Sequence, residues 1–306
     1  MIHLGTYGFI QLAVQCRLKI MSIQIKTINL VEQEAIIDRD VNLNGEHVQS
    51  VNIYQTDGSF VTAEPFNNRI IWYPQNPNNV DNTTLGEWKE FSSFAGYGFL
   101  SLPMDAKFDY VRRILWIADA GNKRVLKVDV NSGTVLDVAA NGYFCHSISV
   151  NINTGGIFVK SIKDANTGII QHYNKSVELQ ASFEFPCTYS NIGEPIVETY
   201  SFMFSLPLPS SMVFDHVRNR LWWVGNNRVY MADITNKNIV PYTIEDDDFH
   251  QAKSVDVDFK SGNTFVTAKR KGYNSWYILQ MFRDNNSIVS TAYLEKLRSS
   301  NRPSGV

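Results

Sequence analysis

The sequence predicts an all-β chain folded as a single β-propeller of five or six four-stranded blades. Three observations point there. Two distant stretches share residues at identical spacing, aromatic anchors recur at blade-length intervals, and Gly/Asn-rich turns separate short apolar runs. Repeats of this length make blades, because one repeat cannot bury its apolar faces without neighbours.

The two stretches are residues 102–116 and 208–222, which share Leu-Pro, Phe-Asp, Val-Arg and Leu-Trp. Gly121-Asn122-Lys123-Arg124-Val125 follows the first, and Gly225-Asn226-Asn227-Arg228-Val229 follows the second two residues sooner. Asn67-Asn68-Arg69-Ile70, after Phe60-Val61-Thr62-Ala63, is a third copy. Phe265-Val266-Thr267-Ala268, followed by Gly272-Tyr273-Asn274, is a fourth, and Ile157-Phe158-Val159 marks a fifth. The anchors Phe60, Trp116, Phe158, Trp222 and Phe265 are 56, 42, 64 and 43 residues apart. A four-stranded blade takes about 40–50 residues, so the longer gaps carry insertions of roughly 13 and 21.

Turn chemistry agrees. Asp57-Gly58, residues 153–156 and residues 260–263 place Gly and Asn where hairpins need φ > 0. Asn131-Ser132-Gly133 closes a third turn, so the best copy has three turns and four strands. Residues 23–28 and 35–41 are expected to supply terminal strands that seal the ring. Residues 168–206, where Val177, Leu179, Ala181, Phe183 and Phe185 alternate, leave room for an eroded sixth blade.

Residues 103–129, running Pro-x-x-x-x-Phe-Asp and then Leu-Trp-Ile-Ala-Asp-Ala-Gly-Asn-Lys-Arg-Val-Leu-Lys-Val-Asp, resemble an NHL repeat. The copy ending Trp223-Val224-Gly225 departs from the pattern by lacking the strand-terminal Asp. The resemblance extends over residues 48–294 and implies a noncatalytic interaction platform.

Composition bounds the partners. Of 306 residues, 44% are hydrophobic and 19% charged, the balance of a packed protein, and the net charge is −2. No global field is available for nucleic acid, so no nucleic-acid partner is expected. No apolar run is long enough to insert in a membrane. Cys16, Cys145 and Cys187 are odd in number and far apart, which suits buried thiols in a reducing compartment. Residues 1–20 are expected to be an N-terminal extension upstream of a natural start at Met21, residues 21–298 the propeller, and residues 299–306 a frayed tail.

Each candidate site has a structural counterpart reading. The run Glu245-Asp246-Asp247-Asp248 lacks calcium-loop spacing and reads as a solvated loop. Asp256 and Asp258 share a strand face, where paired carboxylates suit an axial metal. Asp258, however, aligns with Asp109, Asn151 and Asp215 as a cap for the first turn of each blade. Arg69, Arg124 and Arg228 recur at one blade position, either as a basic ring for an anionic ligand or, the preferred reading, packing the stem on the neighbouring blade and bonding backbone carbonyls. His3, His47, His146, His172, His216 and His250 have no metal-ligand spacing, and neither Gly-x-Ser-x-Gly nor a phosphate loop occurs. Trp72, Tyr73, Trp88, Tyr97 and Phe99 form either a ligand platform or a packed strand.

No catalytic, cofactor-binding or metal-binding residue is assigned, and no cofactor is expected. The function read from the sequence is a noncatalytic binding or assembly module, with a structural or host-recognition part in a bacteriophage virion or tail as the finer expectation. Its partner is another protein or a glycan, met through the propeller loops. The alternative is a calcium-dependent hydrolase resembling gluconolactonases and paraoxonases, for which Glu64, Asn151 and Asp215 are available ligand types.

Overall fold

The computed structural model describes residues 22–29, 34–42, 50–53, 60–74, 88–139, 142–164, 166–186, 212–225, 228–234, 238–243, 249–270, 277–282 and 288–293. Among them the chain is strand throughout, apart from turns and one 3₁₀ turn over Pro65–Asn67. No helix among the described residues is long and apolar enough to cross a membrane.

Among the described residues five four-stranded sheets follow one another, each an antiparallel meander of consecutive strands. Strands β1 (Ser22–Asn29) and β2 (Glu34–Asn42) precede them. Blade one is β3 (Ser50–Ile53), β4 (Phe60–Glu64), β5 (Arg69–Tyr73) and β6 (Lys89–Phe91). A small hairpin, β7 (Ser93–Phe94) and β8 (Gly98–Phe99), leads to blade two: β9 (Pro103–Asp109), β10 (Ile114–Asp119), β11 (Arg124–Asp129) and β12 (Val135–Ala139). Blade three is β13 (Phe144–Val150), β14 (Ile157–Asp164), β15 (Thr167–Tyr173) and β16 (Leu179–Pro186). Blade four is β17 (Met212–Asp215), β18 (Arg220–Gly225), β19 (Arg228–Asp233) and β20 (Asn238–Thr243). Blade five is β21 (Phe249–Val257), β22 (Thr264–Arg270), β23 (Tyr277–Phe282) and β24 (Ile288–Tyr293). First strands meet in succession, β3 with β9, β9 with β13, β13 with β17 and β17 with β21, so they gather at the centre.

The anchors obey one register. Phe60, Trp116, Phe158, Trp222 and Phe265 each sit on the second strand of a blade. They lie opposite Ile53, Lys107, Ser149, Val213 and Asp256 of the first strand. Because strand side chains alternate between faces, each sheet packs both ways. One apolar cluster joins blades one and two through Trp72, Phe91, Phe108 and Leu126. A second runs through blades two, three and four by way of Trp116, Phe158, Phe214 and Trp223. Val224, Val229, Val255 and Val266 join blades four and five. A β-bulge also recurs: the pairing skips Met104, His146 and Lys253, each five residues before its blade's turn-capping residue.

The alternating residues 179–185 form β16, the fourth strand of blade three, whose register with β15 extends the same meander; residues 187–206, the rest of the segment expected to hold a sixth blade, lie outside the described residues. One expectation needs correction. Strands β1 and β2 pair with each other as a separate two-stranded sheet, and all four strands of every blade come from one continuous stretch. Residues 1–20, 187–211, 244–248 and 299–306 lie outside the described residues, and with them the extension, the acidic run and the tail. Cys145 is a buried free thiol; Cys16 and Cys187 fall outside.

Candidate functional site

The first turns of blades two to five are built on one plan. Asp109 Oδ1 accepts the backbone N–H groups of Val111 and Arg112, each at 3.1 Å. Asp215 Oδ1 does the same for Val217 and Arg218 at 3.0 and 3.1 Å. Asn151 Oδ1 accepts from Asn153 and Thr154, and Asp258 Oδ1 from Lys260. The capping role read from the alignment therefore holds at all four positions. Short Asx side chains compete well for such turn donors, which otherwise lack strand partners.

These turns also clasp one another. Arg112 Nη1 reaches Asp109 Oδ2 at 2.9 Å and the Ile152 carbonyl at 2.8 Å, while Nη2 reaches the Asn153 carbonyl at 3.1 Å. Asn153 Nδ2 donates to the His216 carbonyl. Arg218 Nη1 bridges Asp215 Oδ2 and the Phe259 carbonyl at 3.1 and 3.2 Å. Backward, Arg113 lies over the rings of Trp72 and Phe108 at 5.5 and 5.1 Å. Blades one to five are thus linked in order along one face.

The opposite face carries the second turns, and there the expected role of the recurrent Arg changes partner. Arg124 Nε pairs with Asp119 Oδ2 at 2.7 Å, and Asn122 Nδ2 joins the same oxygen at 2.8 Å. Arg69 Nε pairs with Glu64 Oε2 at 2.7 Å beside Asn67 Nδ2 at 3.0 Å, and Arg69 Nη1 also meets Glu90 Oε2. Both arginines bond carboxylates of their own blade. Geometry forces this, since the carboxylate stands opposite the Arg across the turn. The side chain of Arg228 lies outside the described residues. The bridging to carbonyls belongs to Arg112 and Arg218, whose signal was the Val-Arg pair shared by the two best copies. Glu64 stands where blade two has Asp119, so the third copy keeps a carboxylate opposite its Arg.

At the centre, Asp105 Oδ2 accepts the Ile148 N–H at 2.9 Å and the Ser147 hydroxyl at 3.4 Å, and Ser149 Oγ accepts the Phe214 N–H at 2.8 Å. Side chains of one blade thereby satisfy edge donors of the next first strand. Asp256 is pushed up to about 6 by burial, against the pull of the Val257 N–H and Lys107 and with a further push from Asp258. Burial, and then the charge of Lys160, hold the His146 imidazole well below its ordinary value. Lys160 is itself buried and donates to the Val224 carbonyl at 2.6 Å.

The hydrolase ligand types do not converge. Glu64 ends β4, at the second-turn face, in an ion pair with Arg69. Asn151 and Asp215 cap first turns at the other end of their blades, a strand's length away. Among the described residues no three His, Cys, Asp or Glu side chains group as a metal site.

The aromatic set divides. Trp72 and Tyr73 are buried in blade one, whereas Trp88, Tyr97 and Phe99 are 38%, 39% and 78% exposed. Tyr97 and Phe99 stand on the β7–β8 hairpin. Trp88 is at the far end of β6, on the first-turn side.

The chain matches no protein-family model and no curated protein sequence. Among solved structures it is similar to the β-propeller domain of Myceliophteria thermophila Cps50 (Swd1). That match has a TM-score of 0.50 at 8% identity and covers 82% of this chain and 71% of that one. The fold is a β-propeller. Hydrazine synthase of Kuenenia stuttgartiensis also aligns, with a TM-score of 0.48 at 10% identity over 62% of this propeller and 49% of that chain. This propeller therefore spans about half the length of the hydrazine synthase chain it matches.

Proposed function

We propose that this propeller is a noncatalytic binding or assembly module, a structural or host-recognition component of a larger particle such as a bacteriophage virion or tail, which meets another protein or a glycan through its loops. One observation carries the reading. The polar side chains repeated from blade to blade, the residues most easily mistaken for chemistry, have their hydrogen bonds spent on capping turns and joining blades. What varies between blades is the connecting loops, and a rigid ring that presents variable loops suits recognition. The degenerate, Asn-rich repeats support placement in a particle, where neighbouring subunits share the task of holding the chain in shape.

The test is elemental analysis of the purified protein together with a lactonase and esterase screen. No stoichiometric calcium and no turnover are expected. Bound calcium with activity lost on chelation would overturn the reading in favour of the hydrolase. For the finer claim, purified particles from the source would be probed by mass spectrometry, and absence of the chain from every particle fraction would refute it.

A further inference from the structure

We draw no further inference here: the strongest candidate, the exposed surface patch on the second-turn face formed by Tyr97 and Phe99 of the β7–β8 hairpin and Lys123 of the adjoining turn, carries nothing because nothing in the structure shows what covers it.

Discussion

The Arg112 guanidinium neutralises Asp109 within its own turn while tying that turn to the next blade, because Nη1 is shared between Asp109 Oδ2 and the Ile152 carbonyl. Blade four repeats the arrangement with Arg218, Asp215 and Phe259. Asp109 and Asp215 are buried, so each Asp–Arg pair holds together two backbone donors, a buried charge and a link to the next blade.

Asp109→Ala and Asp215→Ala should each lower stability by roughly 1–3 kcal/mol, the cost of orphaning buried hydrogen-bond partners. Arg112→Met added to Asp109→Ala should cost less than the two single changes summed, since both remove one network. Urea melts of the four proteins in the cycle would check this. Strict additivity would mean the pair is not coupled.

Position +4 after the capping residue has positive φ in blades two to five: Arg113 at 60°, Gly155 at 77°, Asn219 at 57° and Gly262 at 80°. Glycine is demanded only in blades three and five. There a Cβ would lie 2.6 Å from Arg112 Nε and 2.6 Å from Arg218 Cζ. Gly155→Ala and Gly262→Ala should destabilise by about 1–2 kcal/mol from backbone strain alone, with the clash added. Gly155→Ala in an Arg112→Ala background should lose only the strain part. Equal losses in both backgrounds would show that the clasp does not fill that space.

Acid should weaken the fold through His146. Its folded-state value is depressed by burial and Lys160, so the unfolded chain takes up the proton first. The neutral ring therefore costs nothing above the unfolded value near 6.5 and removes stability as pH falls below it, by up to about 1.4 kcal/mol per pH unit. His146→Phe should flatten the fall in urea midpoint between pH 7 and pH 5. An unchanged slope would assign the acid sensitivity elsewhere.

Asp256 behaves in the opposite sense to a salt-bridged carboxylate. Raised from 3.8 to about 6, its ionised form is disfavoured in the native state. The penalty appears as pH rises from 3.8 and is complete above about 6. Asp256→Asn should then stabilise the protein at pH 7.5 by roughly 1–3 kcal/mol and do nothing at pH 3. Melting curves at the two pH values decide it. A loss of stability at pH 7.5 would show that the Lys107 attraction outweighs burial.

Much of this architecture was legible along the chain. Phe-Asp, Val-Arg and Leu-Trp at matched spacing define a strand, a capped turn and a second strand by local chemistry, and the anchor intervals count blades without reference to contacts. The capping role of Asp109, Asn151, Asp215 and Asp258 followed from alignment, because an Asx turn is made within four residues. Tertiary structure decided what depends on meeting a distant partner. Arg112 and Arg124 look alike in sequence. One reaches the next blade and the other its own carboxylate because they sit at opposite ends of β10. Residues 179–186 read equally well as a new blade or as an outer strand, since alternation fixes a face but not a neighbour. Trp72 and Phe99 are both aromatic residues beside one insertion. Only the packing of blade one against blade two buries the first and leaves the second in water, because burial is set by which surface arrives opposite a side chain and not by the side chain itself.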